Sequence, residues 1–230
     1  MLTWVAGFAD AFGFLALGQI FFSAVSGNTV AVNATLARGD WAEVAHHGLP
    51  ILCFVAGLFF GAILEGIASR IQVRRRFSLA LAFETFLLLC FLVVGWSCPP
   101  YEDLPSKTPG AFYIMIAQLS GAMGIQTASL RRVRHGSVNT PFVTGNLVQA
   151  LENAVNVVFN VYDRLRHQAP SFPADSLSKA AFYGALWFCF AVGAVCGGFG
   201  EAYWKFPALI FPIGVLTIII ICDLVCPIYG

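Results

Sequence analysis

The sequence predicts an all-α, polytopic membrane protein, with six transmembrane helices arranged as two inverted three-helix repeats. Three observations predict it. Hydrophobic residues make up 58% of the chain against 11% charged, and the mean hydropathy is +0.77. That is too apolar for a water-soluble domain. Six apolar stretches, near 2–25, 49–68, 77–97, 111–130, 180–204 and 206–226, are each long enough to cross a bilayer, which takes roughly 20 residues. The third observation is duplication. Gly7-Phe8-Ala9-Asp10-Ala11 leading into Ser26-Gly27-Asn28 recurs as Gly124-Ile125-Gln126-Thr127-Ala128 leading into Thr144-Gly145-Asn146. Cys53-Phe54-x-x-Gly57-x-x-x-Gly61-x-x-x-Glu65 recurs in the same order as Cys189-Phe190-x-x-Gly193-x-x-x-Gly197-x-x-x-Glu201. Paired units of this kind are the sequence pointer to a transporter-like site. The spans fill most of the chain, so 1–230 reads as a single membrane domain, with repeat 1 at about 1–98 and repeat 2 at about 110–227.

Charge orients the spans. Arg70, Arg74, Arg75 and Arg76 fall between the second and third stretches, and Arg131, Arg132, Arg134, Arg164, Arg166 and Lys179 between the fourth and fifth. The opposite side receives only Arg38, Lys107 and Lys205, ten basic residues against three. The positive-inside rule then places both termini in the cytoplasm, in a plasma or inner membrane. Three spans return the chain to the opposite side, so the second unit must be inverted relative to the first. The loop with Glu102, Asp103 and Lys107 lacks a positive excess and agrees with this.

The first stretch carries Asp10 and no basic residue before Arg38, so it reads as a retained helix rather than a secretory signal. An ionisable group in hydrocarbon is costly and by default a functional candidate; the structural alternative is a hydrogen bond between helices, for example toward Gln126 and Thr127. Ser26-Gly27-Asn28 follows. Its Gly can relax the dihedrals that a helix imposes, and its amide can satisfy freed backbone groups. A broken helix exposes N–H or C=O groups that bind an ion or a polar substrate; the alternative is an interfacial turn. The second stretch presents Gly57 and Gly61, a small-xxx-small face for close helix approach. Glu65 lies near its end, where pairing with Arg70 is expected.

Glu84 sits about two turns into the third stretch, roughly 10 Å deep by helical rise, and is a candidate coupling or proton-carrying group. The fourth stretch carries Gln126 and Thr127 at the positions that correspond to Ala9 and Asp10. Pro141 then precedes Thr144-Gly145-Asn146 and removes a helical donor. Beyond it, Gln149, Asn153, Asn156, Asn160 and Asp163 fall at helical spacing. They fit either a hydrophilic pathway or a helix at the cytoplasmic interface, and the following Arg164 and Arg166 favour the interface. The fifth stretch repeats the glycine face as Gly193 and Gly197, with Glu201 beside Lys205. The sixth is uninterrupted apolar sequence.

Several classes are excluded. A net charge of +1 carries no nucleic-acid signature. There is no Gly-x-x-x-x-Gly-Lys-Ser/Thr, no His-Glu-x-x-His and no Gly-x-Ser-x-Gly. The seven cysteines lie almost entirely within apolar stretches without a Cys-x-x-Cys pair, so they read as small buried hydrophobes rather than disulfide or zinc ligands. His46, His47, His135 and His167 fall in predicted loops, and the adjacent His46-His47 is a weak metal hint. No cofactor is expected.

Gly-x-x-Asp-Ala-x-Gly-Phe-Leu (Gly7 to Leu15), Phe-x-Ser-x-x-Ser-Gly-Asn (Phe21 to Asn28) and Thr-x-x-x-Thr-Gly-Asn (Thr140 to Asn146) resemble the YoaK-like family of six-span membrane proteins. The resemblance covers nearly the whole chain and implies a membrane location and a small-molecule permease role, with no substrate attached.

The reading that results is a secondary transporter or facilitator of a small polar or amphipathic molecule, more a carrier than an enzyme. Its expected binding residues are Asp10, Ser26, Gly27, Asn28, Gln126, Thr127, Thr144, Gly145 and Asn146, with Glu84 for coupling. Membrane lipid is the expected surrounding, and association into a homo-oligomer is left open. The rivals are a membrane-embedded enzyme that works on a lipid or isoprenoid, with Asp10 and Glu84 as acid and base, and a non-catalytic membrane scaffold.

Overall fold

The computed structural model describes residues 1–73, 75–98, 108–133, 143–166 and 174–226. Arg74, Glu102, Asp103, Lys107, Arg134, His135, Pro141 and His167, and the side chains of Arg131 and Arg132, lie outside the described residues. Among the described residues, all regular structure is helical. In chain order the helices are α1 (Leu2–Ala16), α2 (Val25–Ala37), α3 (Trp41–Arg70), α4 (Arg76–Ser97), α5 (Pro109–Val133), α6 (Val143–Leu165) and α7 (Ala174–Trp204). A short 3-10 turn (Phe206–Leu209) then leads into α8 (Ile210–Val225).

Four helical stretches among the described residues are long and apolar enough to cross a membrane: Trp41–Arg70, Arg76–Ser97, Ala174–Trp204 and Phe206–Val225. They carry exposed Leu52, Phe59, Phe86, Val93, Phe188, Val195 and Ile218 on their outer surfaces, an apolar belt that requires lipid rather than water. The other two expected spans differ from expectation. Helix α1 stops at Ala16 after 15 residues, about 22 Å of rise, and the chain is non-helical over 17–24. Helix α5 has 25 residues, but its sequence is less apolar because it is enclosed by protein. Met115, Ile116, Leu119, Ala122 and Met123 have no exposed surface, and neither does Ser120. A helix surrounded by other helices is released from the lipid-facing requirement and can carry polar residues.

Helix α3 also begins earlier than its apolar stretch. The Asp40 side chain accepts from Glu43 N at 3.3 Å and caps it. This places His46 and His47 within the helix rather than in a loop.

The helices interlock through the duplicated glycines. α1 packs on α7, and α5 packs on α3; these are the two most extensive contacts in the molecule. A Cβ on Gly193 would lie 2.1 Å from Trp4 O, and one on Gly197 would lie 2.3 Å from Phe8 O. In the other pair, a Cβ on Gly57 would lie 2.2 Å from Gly121 O, and one on Gly61 would lie 3.2 Å from Ile125 Cα. The first helix of each copy contributes too: a Cβ on Gly7 would lie 2.1 Å from Phe190 O, and one on Gly124 would lie 2.3 Å from Phe54 O. Residues that correspond in the two motifs therefore meet residues that also correspond, each across to the other half of the chain. α1 and α5 themselves barely touch. An aromatic cluster closes the centre, with Phe12, Phe91 and Phe206 mutually within 6.3 Å between ring centroids.

Gly193→Ala and Gly57→Ala should each lower the melting temperature in detergent, since a methyl group against a carbonyl forces the helices apart at about 1–3 kcal/mol or more. Gly184→Ala, where nothing lies within 4 Å, should melt at or above the wild-type temperature because alanine favours helix. Equal melting of all three variants would show that the crossings are not tightly packed.

Candidate functional site

The break between α1 and α2 is built on one buried carboxylate. Asp10 Oδ1 accepts from Phe22 N and Ser23 N, both at 2.6 Å, while Oδ2 accepts from Ser23 Oγ at 2.5 Å and Ala24 N at 3.1 Å. Asn28 completes the arrangement from the first turn of α2. Its Oδ1 accepts from Phe21 N at 3.0 Å and its Nδ2 donates to Phe21 O at 2.6 Å. The four successive amide N–H groups of residues 21–24 are thus all taken by two side chains. Ile20, Phe22 and Ser23 are buried, so protein groups must satisfy the backbone there. Gly13 makes room for it: a Cβ there would overlap the Phe22 ring at 2.0 Å.

Ser26-Gly27-Asn28 therefore opens α2 and does not interrupt a helix; the interruption precedes it. Thr144-Gly145-Asn146 stands in the same place, in the first turn of α6. The two motifs are presented alike, with Ser26 and Thr144 exposed, Gly27 and Gly145 half-buried, and Asn28 and Asn146 buried.

The remaining candidates fall elsewhere. Gln126 Nε2 donates to Glu84 Oε1 at 2.9 Å, joining α5 to α4. Glu84 has no exposed surface, and its Oε2 has no hydrogen-bond partner. Thr127 turns back on its own helix and donates to Met123 O at 2.8 Å. The structure thus separates the expected residues into a clamp (Asp10, Asn28) and a buried pair (Glu84, Gln126), and Asp10 finds its partners in 22–24 rather than at Gln126 and Thr127. Glu201 pairs with Lys205 at 3.2 Å, as interfacial pairing requires. Among the described residues, no three His, Cys, Asp or Glu gather as a metal-ligand set.

Sequence reasoning missed two polar features. Ser23 is a direct partner of Asp10, and the only signal for it was its fixed place in Phe21-x-Ser23. Asp223 accepts from Ser78 Oγ inside the α4–α8 contact; a carboxylate near the end of an apolar stretch was its signal.

A groove of about 450 Å³ runs along the outer side of the break. Asp10, Phe14, Phe21 and Ala24 form one wall, and Val143, Phe190 and Ala194 the other. Val143 is the first residue of α6, directly before Thr144-Gly145-Asn146. The groove therefore lies between α1 with the segment after it and the helices α6 and α7. In α6 itself, Leu151, Val155, Val158, Phe159 and Tyr162 are exposed, whereas Asn153 and Asn160 are half-buried.

The family described as "Protein of unknown function (DUF1275)" matches residues 1–222. The chain is also 24% identical over 201 residues to the UPF0700 transmembrane protein YoaK of Bacillus subtilis (strain 168), an alignment that covers 87% of this chain and 81% of that protein. No solved structure matches.

Asp10→Asn replaces two acceptor oxygens by one and sets an NH₂ against backbone donors. It should destabilise the protein by about 2–3 kcal/mol, the range for losing charge-assisted bonds to buried groups, and lower the melting temperature. Ser23→Ala, which removes one of the four bonds, should cost less. A variant Asp10→Asn that melts like wild type would remove the clamp from the account.

Proposed function

The chain belongs to the family of proteins of unknown function DUF1275, and we propose that it is a secondary transporter or facilitator for a small polar or amphipathic molecule. The observation that carries this reading is the groove beside the break, whose walls come from α1 and its following segment on one side and from α6 and α7 on the other. A volume of about 450 Å³ falls in the range of small-molecule sites. Walls of Phe14, Phe21, Val143 and Phe190 suit an apolar body.

In this reading the six-span architecture stands as two inverted three-helix repeats, with α1, α3 and α4 in one and α5, α7 and the 206–225 helix in the other. The matched glycine crossings and the alternation of basic residues support it. Both termini then lie in the cytoplasm, and the groove sits at the seam between repeats, as in other inverted-repeat carriers. Asp10 and Asn28 hold the unwound segment that forms one wall, so the roles of these two residues are to shape the site. Glu84, buried with one oxygen unpartnered, is the coupling group. The enzyme reading draws less support, because the Asp10 oxygens are filled by residues 22–24 and Glu84 is engaged by Gln126.

The test is uptake by the purified protein in proteoliposomes exposed to a mixture of small amphipathic solutes, with accumulated species identified by mass spectrometry. At least one solute should accumulate above empty vesicles. Val143→Trp, which fills the groove, should reduce that uptake at least tenfold, and Glu84→Gln should remove its dependence on a proton gradient. Uptake equal to that of empty vesicles, or unaffected by Val143→Trp, would overturn the reading. A single cysteine placed at Arg75 should be labelled only from the cytoplasmic side of intact cells, and labelling from outside would overturn the inverted arrangement.

A further inference from the structure

A second cavity lies at the other end of α3 from Arg70. It is a cleft of about 680 Å³ among the turn after α1, the first turns of α3 and the start of α5. Its chemistry is one-sided. Glu43, Gln19, Tyr113 and His47 line it, and no Lys or Arg does among the described residues. Glu43 is the one carboxylate there and is exposed. His47 Nε2 stands 3.5 Å from Glu43 Oε2, and its Nδ1 is buried without a hydrogen-bond partner. Tyr113, 45% exposed, offers a ring face and a hydroxyl oxygen. The neighbouring Phe112 ring is instead covered by His46, stacked at 5.7 Å and 3° from parallel.

We propose that this cleft binds a small organic cation, with Glu43 as its counter-ion and Tyr113 as the aromatic surface for its charge. A carboxylate beside an aromatic side chain, with no Lys or Arg among the described lining residues, attracts ammonium groups and repels carboxylates.

The cleft is joined to the helix break. His46 Nε2 bonds to Gly18 O at 3.0 Å. Gly18 and Gln19 both hold left-handed conformations, with φ of 78° and 63°; for Gln19 this stores strain, of order 1–3 kcal/mol. The turn is thus tied to α3 on one side of the cleft and continues directly into the clamped segment 21–24. A cation seated between Glu43 and Gln19 bears on the same segment that walls the groove. The proposal rests on the transport reading for its physiological meaning, since it makes organic cations the substrate class, but binding is measurable without transport.

The experiment is equilibrium dialysis of radiolabelled butylammonium against the purified full chain in a non-ionic maltoside, with butyrate as the probe of matched chain length and opposite charge. Butylammonium should bind saturably and butyrate should not, and Glu43→Gln should weaken butylammonium binding at least tenfold while the protein melts as wild type. Equal binding of the two probes, no saturable binding of butylammonium, or binding unchanged in Glu43→Gln would overturn the proposal. Uptake of butylammonium into proteoliposomes separates the two ideas. Glu43-dependent binding without uptake keeps the cleft and counts against transport, whereas uptake that does not depend on Glu43 counts against the cleft.

Discussion

The arrangement depends on how an unwound, largely buried stretch of backbone has its hydrogen bonds satisfied. Past the last i→i−4 bond of α1, from Leu17 N to Gly13 O, residues 18–24 join two helices, and Ile20, Phe22 and Ser23 in that stretch are buried. Each unpaired buried amide would cost about 1–3 kcal/mol. Asp10 and Asn28 remove that cost at four consecutive positions. The carboxylate also lies against the N-terminal end of α2, where the helix dipole favours negative charge. The energetic logic is reciprocal: the buried charge is tolerated because it is fully hydrogen-bonded, and the unwound backbone is tolerated because the charge is there. Without this clamp, the groove would lose one wall.

The two glycine-bearing motifs pack alike and differ in their polar chemistry. The glycine crossings at Gly193 on Trp4 and Gly57 on Gly121 are equally close: a Cβ added at either would lie 2.1 and 2.2 Å from the facing carbonyl oxygen, so any side chain there would break the contact. Polar positions are under no such geometric constraint. Where the first copy has Asp10 reaching across to residues 22–24, the second has Thr127 bonded to its own helix at Met123 O. Where the first has Ala9, the second has Gln126, which holds Glu84. The first half thus carries the clamp, and the buried Glu84–Gln126 pair joins α4 of that half to α5 of the other.

Much of this was legible in the sequence and some was not. The duplication, the glycine faces and the importance of Asp10 follow from spacing and from the cost of a charge among apolar residues. The position of the break does not. Leu17-Gly18-Gln19-Ile20-Phe21-Phe22 is as apolar as the helix before it, so hydropathy extends the first span to residue 25, past the true helix end at Ala16. The Gly-Asn pair looks like the interruption because glycine and asparagine are the usual breakers, yet it lies in the first turn of the next helix, and the amide reaches back seven residues to Phe21. The Glu84–Gln126 bond spans 42 residues of sequence, and no local pattern encodes it. Nor does composition reveal that α1 and α5 are central, though their polar content is what an enclosed position allows.

Amide hydrogen exchange at residues 21–24 in detergent micelles tests the central claim most directly. If Asp10 and Asn28 hold these four N–H groups, their exchange in the wild type should be as slow as in the middle of α3, despite the absence of helix. In Asp10→Asn, exchange should accelerate at residues 22–24 while residue 21, held by Asn28, stays slower. Rapid exchange of all four in the wild type, or protection unaltered by the substitution, would contradict the account.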